Sequence, residues 1–153
     1  MRTWAILLTF VLALVTLFPA CQGPAENLAE VTPVSVRDGV FVHISSGTAE
    51  PHRVLMGLRM ARVMSSDKDV LVYFDIKGVE VVLKDSEGIA FGGFDSSKTQ
   101  LQDLIDKGVT IYVCPTCLAA AGKTAEDLLE GVQIAEKDMF FSFTSGRILT
   151  LDY

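Results

Sequence analysis

The chain has 153 residues, 13 of them Lys or Arg against 19 Asp or Glu, a net charge of −6, and three cysteines. An acidic chain with no Lys/Arg cluster is a poor partner for nucleic acid or for anionic lipid headgroups. Setting aside the first 20 residues leaves a length suited to one domain with its own core.

Residues 1–20 read as a signal peptide. Arg2 supplies a short basic start, and 4–18 run without a charge, rich in Leu, Val and Ala. That stretch is short and wrongly flanked for a stable membrane span. Phe18-Pro19-Ala20-Cys21 resembles a bacterial lipobox, with Cys21 as the lipid acceptor, and this reading accounts for the third cysteine. Cleavage after Ala25 (Gly23-Pro24-Ala25) is the alternative, and it would discard Cys21. The expectation is an exported, lipid-anchored protein of the cell envelope, on the periplasmic side of the outer membrane if the cell is Gram-negative. Residues 21–38, with Pro24 and Pro33, read as a tether.

The domain is expected over 39–153. Val40-Phe41-Val42-His43-Ile44 is an apolar run entering Ser45-Ser46-Gly47, hence a buried strand. Pro51 opens a helix, with Val54, Leu58 and Ala61 on one face and Arg59 and Arg62 on another. Residues 70–74 form a second strand. Val79-Glu80-Val81 and Ile89-Ala90-Phe91 flank a turn at 85–88 and suggest a hairpin or a lid. Ser97 and Gln100 form a capping-box pair for a helix that stops at Gly108. Residues 109–113 are a third strand; Thr124 and Asp127 cap a helix through Leu129. A short strand at 131–134, a helix at 137–144 and a closing strand at 148–151 complete the chain. Alternating strands and helices predict a parallel sheet of about five strands covered on both faces.

Cys114-Pro115-Thr116-Cys117 follows the third strand directly. Reactive groups in such sheets sit beyond the carboxyl ends of the strands. A thiol between a strand and a helix meets unpaired backbone N–H groups, which favour the reactive thiolate. The i, i+3 spacing brings both sulfurs to one face. Three readings are open: redox or sulfur chemistry, a passive disulfide, and metal binding. A bridge closing so short a loop removes little chain entropy. A closed zinc site needs four ligands, and the pair gives two. His43 and His52 read as satisfied or surface histidines, and Met56, Met60 and Met64 as packing at helical spacing. Gly92-Gly93 lacks a phosphate-loop pattern, and Ser45 and Ser46 lack a nucleophile elbow. No cofactor and no metal are expected.

Four segments, HISSGTAEPHRVLMGLRMA, DVLVYFDIKGVEVVLKD, LIDKGVTIYVCPTCLAAAG and the tail from EDLLEGVQIA to RILTLDY, together resemble the DsrE/DsrF-like family and its YchN-type branch. The third is the most specific: a Gly-Val, a strand, a Cys at the strand end and Gly122 eight residues later. The resemblance implies a flavodoxin-like parallel sheet, homotrimers or homohexamers, and a persulfide on Cys114 exchanged with sulfur donors and acceptors. Cys117 would then be the resolving thiol. The alternatives are a dithiol–disulfide oxidoreductase and a non-catalytic oligomeric module. The motif follows the third strand and no proline comes after Pro115, which argues against a thioredoxin fold.

Overall fold

The computed structural model describes residues 35–153. The expected signal peptide, the Cys21 anchor and most of the tether lie outside the described residues. No helix among the described residues is long and apolar enough to cross a membrane.

Five parallel strands form one sheet in the order β4-β3-β2-β1-β5: β1 Gly39–Ile44, β2 Asp69–Phe74, β3 Thr110–Val113, β4 Val132–Ile134 and β5 Ile148–Asp152. Helix α1, Pro51–Met64, links β1 to β2, and α2, Ser97–Asp106, links β2 to β3. Both lie on one face of the sheet. Val54, Leu55, Leu58 and Ala61 of α1 and Leu101 and Leu104 of α2 pack on Val42, Ile44, Val72, Phe74, Ile111 and Val113. Arg62 ties α1 to α2 through Asp103 and to the loop before α2 through Asp95, each at 2.7 Å. The connection from β4 returns to the opposite edge of the sheet, so it covers the other face. There Leu71, Tyr112 and Ala135 are buried beneath Met139 and Phe140 of the short helix α4, Met139–Ser142, and beneath Phe143. The sheet is thus a parallel α/β sheet with helices on both faces, as the alternation predicts. One face is layered deeply and the other thinly.

Four local expectations change. Residues 79–91 form neither a hairpin nor a lid. Gly78–Val82 is a 3₁₀ turn in which Val79, Val81 and Val82 are all buried, leaving no alternating face for a strand pair. Gly78 itself passes so close to β1 that a Cβ would lie 2.1 Å from the Ile44 carbonyl oxygen. The cap of α2 is Ser96, which accepts from the Thr99 N–H at 3.2 Å, not Ser97. Ser97 is buried and accepts from the Ile89 N–H at 2.8 Å, while Gln100 donates to the Asp95 carbonyl at 2.9 Å. Thr124 and Asp127 do close a capping box, with Thr124 N–H donating to Asp127 at 2.8 Å, but on a 3₁₀ turn of three residues, Ala125–Asp127. The helix expected over 137–144 is shorter, its ends unwound by the turns that flank it.

Candidate thiol site

The register of the sheet builds the site. Asp152, His43, Tyr73, Tyr112 and Gln133 stand side by side on successive strands. Side chains alternate between faces with a period of two. Asp75 and Cys114, two residues beyond Tyr73 and Tyr112, therefore continue that row on the thinly covered face, past the carboxyl ends of the strands.

Cys114 is the N-cap of helix α3, Pro115–Ala120. Its N–H donates to the Phe74 carbonyl at 2.9 Å, the last rung between β3 and the β2 end, and its carbonyl accepts the first helical bond, from Leu118 N–H at 3.0 Å. Pro115 occupies the first turn, where the missing N–H costs nothing. Buried Leu118 anchors the turn in the core. The Cys114 sulfur accepts from the Cys117 N–H at 3.4 Å. Both cysteines are free thiols and partly exposed.

The two thiols differ electrostatically. Burial raises the Cys114 pKa, but the Tyr73 hydroxyl, the Cys117 N–H and thiol, and the Thr116 N–H outweigh it, and the net effect lowers it. For Cys117 the Ile76 N–H lowers the pKa, but burial, Cys114 and Asp75 together prevail and raise it. Burial, and then the Cys114 thiol, hold the Tyr73 phenol above its usual range, so it stays protonated and can donate to a thiolate. One thiol is held towards the anion and its neighbour towards the acid, the arrangement thiol exchange requires.

Residues 38–142 match the model of the DsrE/DsrF-like family. The chain belongs to this family. The Uncharacterized protein MJ0760 of Methanocaldococcus jannaschii is 25% identical over 122 residues, 78% of this chain and 44% of that protein. The chain thus spans less than half the length of that relative. Among solved structures it is similar to the ychN protein from E. coli, with a TM-score of 0.57 and 20% identity over 76% of this chain and 99% of that one. A protein of unknown function from Methanobacterium thermoautotrophicum, MTH1491, is similar at a TM-score of 0.57 and 22% identity, over 75% and 99%. These likenesses concern the fold.

In this DsrE/DsrF-like domain the other residues considered from sequence separate. His43 faces the site: its ring lies 5.7 Å from that of Tyr73, and its Nδ1 is 2.8 Å from Asp152. His43 Nε2 and Asp75 Oδ1 are shut off from solvent 2.9 Å apart, without the alignment of a directed hydrogen bond. Their attraction is that of an ion pair, present when the ring is protonated. Burial disfavours that form, but Asp75 and Asp152 outweigh it and raise the His43 pKa. His52 is elsewhere, exposed and stacked on Phe91 at 4.9 Å. Met56, Met60 and Met64 are half-buried along α1, and Met64 packs on the core. No group of three or more His, Cys, Asp or Glu able to hold a metal gathers among the described residues.

Sequence reasoning did not single out Tyr73, Asp75, Ile76 or Asp152. The one available signal was a polar residue directly after an apolar strand, as at Phe74-Asp75. Ile76 has φ +46°, a conformation that β-branched residues avoid. Its backbone N–H favours the Cys117 thiolate. Beside Cys117 lies a groove of 270 Å³ lined by Ile76, Lys77, Val79, Glu80, Ala120 and Ala121.

Proposed function

We propose that this protein is a sulfur carrier of the DsrE type, accepting sulfane sulfur as a persulfide on Cys114 and passing it on, with Cys117 as the second thiol. The family supports a sulfur-relay-related role. The observation that carries the finer reading is the placement of two free thiols at a strand-to-helix junction, where Cys114 caps the helix and its sulfur accepts from the Cys117 N–H at 3.4 Å; the lowered Cys114 pKa agrees with it. In the first step the Cys114 thiolate attacks the terminal sulfur of a polysulfide and displaces the chain shortened by one sulfur. Charge and atoms balance without an added oxidant.

The same pair would support dithiol–disulfide exchange, in which Cys117 attacks a mixed disulfide on Cys114. Incubating the reduced protein with inorganic polysulfide and weighing it intact separates the two. The carrier gains the mass of sulfur, and Cys114→Ser loses that gain. No gain in the wild type, with rapid Cys117-dependent reduction of a disulfide substrate, favours the oxidoreductase.

Location and assembly are part of the proposal. The Phe18–Cys21 pattern supports export and lipid anchoring in the envelope. The exposed Phe141, Ile148 and Leu149, beside the thin face and on edge strand β5, support self-association, which the family resemblance makes a homotrimer or homohexamer.

A further inference from the structure

The groove lies against Cys117, and Cys114 does not reach its wall. Its lining is mostly apolar, from Ile76, Val79, Ala120 and Ala121, while Lys77 and Glu80 engage each other at 3.5 Å. Ile76 is held at positive φ with its side chain 64% exposed, so its burial does not repay the strain. What the strained conformation does supply is a side chain that forms one wall of the groove beside Cys117. At 270 Å³ and with a mostly apolar lining, the space has room for a short aliphatic thiol.

We infer that the sulfane sulfur moves from Cys114 to Cys117, rests there inside the groove, and leaves from Cys117 to a small aliphatic thiol. The inference rests on the carrier reading and assigns the order of the two thiols. In the transfer the Cys117 thiolate attacks the outer sulfur of the Cys114 persulfide. A bond forms between Cys117 Sγ and that sulfur, and the bond from it to Cys114 Sγ breaks. The electron pair stays on Cys114, and the proton lost by Cys117 is made good there. Nothing is oxidised or reduced. Release repeats the step: the small thiol takes the outer sulfur as its own persulfide and Cys117 returns as a thiol. Direction follows from leaving-group chemistry. A thiol of lower pKa leaves faster and a more basic one is the stronger nucleophile once ionised. Cys114, whose sulfur accepts from the Cys117 N–H at 3.4 Å, is the leaving group, and Cys117, the thiol that borders the groove, is the place of rest.

The test is to load the reduced wild-type protein with inorganic polysulfide, block it with an alkylating agent and fragment the peptide 108–123. The expected result is sulfur on Cys117 in about tenfold excess over Cys114. In Cys117→Ser the sulfur stays on Cys114. Wild-type sulfur confined to Cys114 overturns the inference and leaves the carrier reading standing. Sulfur on neither residue overturns both. In a second arm, Ala120→Phe fills the groove from an exposed helix position and slows release to 2-mercaptoethanol by about tenfold or more. Release at the wild-type rate overturns the assignment of the groove.

Discussion

At the scale of single residues, the proposed chemistry depends on Tyr73 and the backbone acting together on Cys114. Tyr73→Phe removes the hydroxyl that offsets burial, so the Cys114 pKa rises and alkylation at neutral pH slows several-fold; stopped-time alkylation in a Cys117→Ser background reads this directly. His43 gives a second pH signature. Its folded-state pKa is raised above 6.5, so its contribution to stability is complete below about that pH. It is lost as pH rises through the higher folded value. Asp152→Asn removes one of the two carboxylates responsible, and the fall in melting temperature across that window becomes shallower. An unchanged profile would mean that the Nδ1 contact of 2.8 Å does not persist in solution. The two cysteines were legible from spacing alone, because a strand followed at once by CPTC fixes a cap position. Tyr73, Asp75 and Asp152 were not. Asp152 is 109 residues from His43, and only the parallel register of β5 on β1 brings them together.

At the scale of elements, two backbone positions shape the loop that faces the thiols. Gly78 cannot carry a Cβ without displacing the Ile44 carbonyl, a backbone atom. Gly78→Ala is expected to cost about 2 kcal/mol or more, measured by denaturant unfolding. Ile76 is the opposite case. Asn tolerates positive φ and Ile does not, so Ile76→Asn should stabilise the fold by about 1 kcal/mol while altering the groove wall. A gain in stability with altered sulfur release would identify strain kept for function; a loss of stability would contradict the strain argument. Strands β1, β2 and β3 were readable in sequence because parallel strands buried on both faces appear as continuous apolar runs. The same reasoning misread 79–91, where contiguous burial belongs to a 3₁₀ turn rather than to a strand. It also placed the α2 cap one residue late, since either of two adjacent serines satisfies the pattern and only packing sends Ser97 inward.

At the scale of the whole molecule, an α/β sheet with one thickly and one thinly covered face places Cys114 beyond the strand ends in the row of the thin face, while Cys117 packs against the core of the thick one. The alternation of strands and helices was enough to foresee that architecture, whereas the unequal cover follows from the return of the chain from β4 to β5. If the lipobox is used, the intact mass of the protein purified from membranes begins at an acylated Cys21; a mature chain beginning at Glu26 would exclude the anchor. The central claim is that position 114 holds a thiolate poised by its surroundings. The most direct measurement is the pH dependence of Cys114 alkylation in the Cys117→Ser protein. The account expects a midpoint below the ordinary cysteine value of about 8.5. A midpoint at or above that value would contradict it.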